Sequence, residues 1–188
     1  MKVKRYLIVI LIFIIKSNVY CQKETPDEFT SSFNEIIYAF SDNFESVKGK
    51  LDTSVKGIMI WKSKVKLPYA EDGFVVFDKT IFKDEKYTEF NERIFKSPDK
   101  KLAWKKYIDF NEKINHTYLA CCNLKKNSNS EEKQDTLKTE YSTYFYIESV
   151  KNENVTKRFT YIKIQIQFKA SIDGEYEVKM HIGDTNYY

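Results

Sequence analysis

From Tyr161 to Ile182 the chain alternates almost without a break. Ile162, Ile164, Ile166, Phe168 and Ala170 interleave with Tyr161, Lys163, Gln165, Gln167 and Lys169, and Tyr176, Val178, Met180 and Ile182 interleave with Glu175, Glu177, Lys179 and His181. A period of two sends alternate side chains to opposite faces, so this stretch must fold as two strands with one apolar and one polar face. Asp173-Gly174 supplies the turn, and parity decides its length, because directly opposed residues share a face. A two-residue loop would set Ile172 against Glu175 and every apolar residue against a polar one. A three-residue loop of Ile172, Asp173 and Gly174 opposes Ala170 to Tyr176, Phe168 to Val178 and Ile166 to Met180, and puts Gly174 at a left-handed position. The outer face then pairs Lys169 with Glu177 and reads as solvated.

Two amphipathic helices are expected to cover the apolar face. Thr25-Pro26-Asp27-Glu28 reads as a helix start, with a Thr cap, Pro in the first turn and Glu closing a capping box. Phe29, Phe33, Ile36, Ile37, Phe40, Phe44 and Val47 follow at helical spacing, and Gly49 supplies a stop. Ser97-Pro98-Asp99 repeats the cap-then-proline start ahead of Ala103, Tyr107, Phe110 and Ile114, with Trp104 and Ile108 widening the stripe.

Between and after the helices the pattern returns to strand. Over Val55 to Leu67 the odd positions are mostly apolar, while Lys56, Lys62, Lys64 and Lys66 fall on the even side, which predicts a strand with one wet face ended by Pro68. Glu71-Asp72-Gly73 is turn chemistry leading to a second strand over Phe74 to Phe82, too apolar on both sides to orient. Charged residues interrupt any helical face over Lys83 to Lys96, so that stretch is read as strand, and Tyr144 to Val150 as another. Tyr118 to Leu124 is a short apolar segment carrying two cysteines. Residues 123–139 are polar and read as a long surface loop.

The amino-terminal residues carry an address. Lys2, Lys4 and Arg5 precede an apolar run from Leu7 to Ile15, which falls short of the roughly 20 residues a membrane-spanning helix needs. Residues 1–21 are therefore expected to be a secretory signal peptide cleaved after Cys21, with residues 22–188 forming one α+β domain. The alternative is lipidation of Cys21 as a membrane anchor, against which Tyr20 argues, since a small residue normally precedes the cysteine. Lys2, Lys4, Arg5 and Lys16 account for the whole +4 formal charge of the chain, so the mature protein carries 27 basic and 27 acidic residues. That balance, and the scarcity of arginine, argue against a nucleic-acid partner.

Export implies a compartment in which disulfides persist, yet cleavage leaves only Cys121 and Cys122. Adjacent cysteines bridge only through a strained ring, so a stapled framework is excluded, and the expectation is a buried apolar role with intermolecular pairing as the alternative. His116, five residues upstream, suggests a thiol with its base but lacks an orienting partner. The five glycines form no phosphate loop, the two histidines lie far apart in sequence, and no spacing suits zinc, so no catalytic, cofactor or metal residue is assigned. Glu71-Asp72 and Glu131-Glu132 are solvated pairs in turn or loop sequence. Asn115-His116-Thr117 and Asn154-Val155-Thr156 have the form of glycosylation acceptors.

These readings predict an α+β domain: an antiparallel sheet of about five to six strands with two amphipathic helices packed on one face. The expected function is that of an exported, periplasmic or secreted, non-catalytic protein that binds another protein or an envelope component. The alternative is carriage of an apolar, lipid-like ligand between the first helix and the sheet.

Overall fold

A computed structural model of the chain describes residues 26–79, 87–127, 139–150, 159 and 161–184. Its elements run α1 (Glu28–Ala39), β1 (Lys48–Val55), β2 (Ile58–Ser63), β3 (Asp72–Asp78), β4 (Tyr87–Ser97), α2 (Lys100–Asn115), β5 (Cys122–Lys126), β6 (Glu140–Val150), β7 (Ile162–Ala170) and β8 (Tyr176–Asp184). The class is α+β as expected, but the antiparallel sheet has eight strands rather than five to six, in the order β1-β2-β3-β4-β8-β7-β6-β5. Two four-stranded meanders, each preceded by a helix, meet where β4 pairs with β8. Helix α2 makes this possible by carrying the chain from β4 in the middle of the sheet to β5 at its far edge.

The β7–β8 hairpin has the register that parity demanded. Ala170 faces Tyr176, Phe168 faces Val178 and Ile166 faces Met180, with Gly174 at φ 83°. The inward residues Ile162, Ile164, Ile166 and Phe168 are all fully buried. Phe168 sits at the centre of an aromatic group, its ring 5.4 Å from Trp104, 6.1 Å from Tyr107, 6.0 Å from Tyr141 and 5.7 Å from Tyr176. The Tyr107 hydroxyl, which must find a partner once buried, lies 2.7 Å from Thr143 Oγ1 on β6. Helix α1 joins the same layer, since the Phe29 ring meets Phe110 of α2 edge-on at 5.8 Å.

Several expectations are corrected. The helix caps are Asp27 and Asp99: Asp27 Oδ1 accepts the Thr30 N–H at 2.6 Å, and Asp99 Oδ1 accepts those of Lys101 and Leu102 at 2.8 and 3.1 Å. Each proline thus precedes the cap, where a carboxylate faces the positive end of the helix dipole. Helix α1 ends at Ala39 instead of running to Val47. After a 3-10 turn at Phe40–Asp42, Asn43 and Phe44 take left-handed φ values of 60° and 61°. That strain is offset by burial, because the reversal brings the Phe44 ring within 5.9 Å of both Phe40 and Phe90.

Gly49, read as the helix stop, lies within β1. A Cβ there would stand 2.5 Å from the Lys62 carbonyl oxygen, so close backbone approach is what requires glycine. The strand expected over Val55 to Leu67 is broken by a two-residue turn at Lys56-Gly57, with φ of 48° and 91°, and Val55 pairs with Ile58. Residues 64–71 then return over the sheet, burying Leu67 and Ala70. The second expected strand spans Asp72–Asp78, β6 begins at Glu140, and β5 takes the start of the supposed polar loop. Residues 1–21, including Cys21, lie outside the described residues, as do 128–138.

Deleting the Phe168 ring should leave a large void among aromatic neighbours. Phe168→Ala is expected to lower unfolding free energy by about 3–5 kcal/mol, read from the urea midpoint at unchanged slope.

Candidate functional site: an uncovered corner of the sheet

Both helices pack on the face carrying Phe90, Thr143, Phe168 and Met180, which leaves the other face of all eight strands without a covering element among the described residues. Cross-strand register arranges the open face in rows. One runs Lys62, Phe74, Asn91, His181, Gln165 and Tyr144; the next runs Asp72, Arg93, Lys179, Gln167 and Ser142. Over β6 and β7 the open face is polar, as the alternation predicted. Over β2 and β3 it is apolar, with Ile58, Ile60, Phe74 and Val76 on the side opposite Val75 and Phe77. This two-sidedness is why residues 74–82 could not be oriented from sequence.

These apolar residues are a surface feature, not part of the interior. None of Leu51, Val55, Ile58, Met59, Ile60, Trp61, Phe74 or Val76 belongs to the buried core or packs against it. Val55, which pairs with Ile58 at the rim of the open face, is 55% exposed. Residues 48–66 contain six lysines and a single acid, Asp52; Lys62 stands in the open-face row of Phe74, whereas Lys66 donates to the Ala70 carbonyl on the helix side. Lys62 reaches Asp52 at 3.8 Å, Lys48 pairs with Glu45 and lies 4.0 Å over the Trp61 ring, and Lys50, Lys56 and Lys64 have no acidic partner among the described residues. The arrangement can bury apolar area against a partner while its cations attract acidic groups at the rim.

Toward the centre of the open face the charges are paired. His181 Nδ1 lies 2.8 Å from Glu89 Oε1, and Arg93 donates to Glu71 and Asp72, each at 2.7 Å. A shallow depression of about 270 Å3 between Phe74, Asn91, Arg93, Lys179 and His181 adjoins the apolar patch.

The residues singled out for chemistry do not converge. His181 lies on the open face, whereas His116 ends α2 in the helical layer, its ring turned to the Glu112 carbonyl at 2.8 Å. Cys121 and Cys122 are each 1% exposed, away from the exposed His116 ring. Glu71 and Asp72 hold Arg93, Asn115 is exposed at the end of α2, and Glu131, Glu132 and Asn154 lie outside the described residues. Among the described residues no group of three or more His, Cys, Asp or Glu side chains is placed to hold a metal, and no helix is long and apolar enough to cross a membrane.

One titratable group escaped the sequence reading. Glu92 alternates with Phe90 and Ile94 on β4 and is carried into the core at 2% exposure, where Oε1 accepts the Leu67 N–H at 2.8 Å and Oε2 has no partner. Burial lifts its pKa from the ordinary 4.5 to about 8, partly opposed by the Leu67 hydrogen bond and by Lys66. The neutral carboxyl holds residues 64–71 onto the inner face directly beyond the patch. The only sequence signal was an acid at an inward strand position.

No family model matches the chain, and no curated protein or solved structure is significantly similar to it.

Glu92 sets a pH dependence whose sign is fixed. Below pH 4.5 folded and unfolded chains both hold the proton; between 4.5 and 8 only the folded chain does, so this contribution to stability falls as pH rises and stops falling above 8. Glu92→Gln should escape that loss. Urea unfolding is expected to show the variant gaining on the wild type from pH 5 to pH 8, by on the order of a few kcal/mol.

Proposed function

We propose that this chain is an exported, non-catalytic binding protein that recognises an acidic protein surface through the β1–β3 corner of its open sheet face. The observation that carries the reading is the apolar patch of Ile58, Ile60, Phe74 and Val76, which lies outside the core with Lys62 in its row and Lys50 and Lys56 exposed on the neighbouring edge hairpin. An eight-stranded sheet with one uncovered face offers a broad surface without an enclosed cavity at this corner, which suits a protein surface better than a small molecule. The basic start and apolar run of residues 1–21 support export, and the balanced charge of residues 22–188 supports a protein partner over a polyanion.

A second reading, carriage of an apolar ligand, is favoured by a cleft of about 240 Å3 between α2, β4 and the residue 68–69 turn, lined by Phe29, Ile94, Phe95 and Phe110 with Lys106 and Lys113 at its mouth. It lies at the flank of α1, because Phe33, Ile37 and Phe40 fill the space beneath that helix at 0%, 0% and 2% exposure.

Immobilised residues 22–188 and the variant Ile60→Glu/Val76→Glu should be compared on extract of the native envelope. Both positions lie outside the core but oppose each other across β2 and β3, so the paired glutamates should lower the melting temperature somewhat, and the comparison is made at a temperature where circular dichroism shows both chains folded. The expected result is a protein retained by the wild type, lost at least tenfold by the variant, and released when salt rises to about 0.5 M, where the Debye length drops to a few ångströms. Identical retention by both chains, or retention indifferent to salt, would sink the reading. Lipid retained by the wild type in native mass spectrometry would favour the carrier instead.

A further inference from the structure

We propose that Cys121 and Cys122 are a redox modification site that closes reversibly into a vicinal disulfide at the start of β5. Their sulfur atoms stand 2.7 Å apart, nearer than two sulfurs rest in ordinary non-bonded contact. Each residue is 1% exposed, so a lasting bond to another chain would hold a sulfur out of the core, whereas a mixed disulfide formed during a local opening resolves onto the neighbouring sulfur as the strand closes. The expected intermolecular pairing is therefore the harder reaction.

The surroundings hold the pair in place and still allow access. Asn34 of α1 clamps the preceding residues, donating to the Tyr118 carbonyl at 3.0 Å and accepting the Ala120 N–H at 2.9 Å. Leu119, 2% exposed, anchors the same stretch in the core. Tyr38, one turn along α1, lies beside both sulfurs, and burial followed by the two cysteines raises its pKa. On the other side Cys122 opens β5, an edge strand of five residues that among the described residues pairs with β6 alone and carries a register shift at Asn123/Leu124. Edge strands of this kind open locally at low cost, which admits an oxidant without unfolding the sheet.

The chemistry needs a disulfide oxidant. One cysteine loses its proton, and its thiolate attacks a sulfur of the oxidant, giving a mixed disulfide and expelling one thiolate. The neighbouring cysteine, deprotonated in turn, attacks the cysteine sulfur of that mixed disulfide and expels the second thiolate. Two cysteine thiols are oxidised by two electrons, the oxidant is reduced to two thiols, and the two protons pass to the departing thiolates. Adjacent Cα atoms are about 3.8 Å apart across a trans peptide, below the usual disulfide separation, so the closed ring is strained and readily reduced. It is a switch that stiffens the junction between α2 and β5 and yields to mild reductant.

Oxidised glutathione is the probe. The folded protein, reduced, exposed to excess oxidised glutathione at pH 8, then denatured and alkylated, should give a peptide 114–125 two mass units below its dithiol form and without alkyl groups. The urea-unfolded chain, which lacks the enforced proximity, should give the doubly glutathionylated peptide instead. Cys121→Ala and Cys122→Ala should each stop at the mixed disulfide with glutathione, which in the wild type is only transient. Brief treatment with reduced glutathione should restore both thiols of the wild type. The proposal is overturned if the folded wild type remains a dithiol, accumulates glutathione on both cysteines, or links either one to Cys21 or to a second chain.

Discussion

The seam between β4 and β8 is the contact on which the rest of the structure depends. A four-stranded meander with one helix buries too little apolar surface to be comfortable alone, and two of them become one core only when their last strands pair. At the seam Phe90 faces Ile182 and Phe95 faces Val178 toward the helices, while Asn91 faces His181 and Arg93 faces Lys179 on the open side. Helix α2 packs over β4, β7 and β8, so the covered zone is centred on the seam. Coverage thins with distance from it. By β1 and β2 no residue belongs to the core.

Charge follows a similar geography. Residues 22–188 carry 27 basic and 27 acidic residues and so no net charge, yet six lysines and one acid fall within residues 48–66. At the centre of the open face, in contrast, Arg93 is held by Glu71 and Asp72 and His181 by Glu89. A neutral total therefore conceals a polarised surface, and the polarity coincides with the apolar corner rather than with the paired centre.

The last third was legible because its alternation is long, strict and joined by a turn whose length parity alone could decide. Both helix cores were legible for the same reason at a different period, Phe29-Phe33-Ile36-Ile37 and Ala103-Tyr107-Phe110-Ile114 being the buried faces of α1 and α2. What misled was punctuation. Lys56-Gly57 makes a tight hairpin in which a lysine adopts a left-handed φ, a conformation that residue type does not advertise. Gly49 looked like a helix stop, although its need for a missing Cβ comes from Lys62, thirteen positions away. Phe44 sits at helical spacing from Phe40 but reaches the core through a chain reversal, since packing on Phe90 outweighs local propensity. The candidate surface was invisible for a related reason: Ile60 and Val76 read as core residues until the sheet's width and the position of the helices are known.

The two halves of the open face make the corner's composition informative. Over β6 and β7 the outward residues include Ser142, Tyr144, Gln165 and Gln167, with Gln165 Nε2 donating to Ser142 Oγ at 3.0 Å and Gln167 Nε2 to Glu140 Oε1 at 2.7 Å. Over β2 and β3 the equivalent surface is Ile58, Ile60, Phe74 and Val76, in the same topology and facing the same solvent. Left bare beside an open edge strand, such a surface invites self-association. β1 opposes this with register shifts on both sides of Leu51 and with exposed lysines at 50 and 56, so two copies meeting edge to edge would bring like charges together. The same exposed lysines that disfavour edge-to-edge pairing are the charges that the proposed acidic partner would meet.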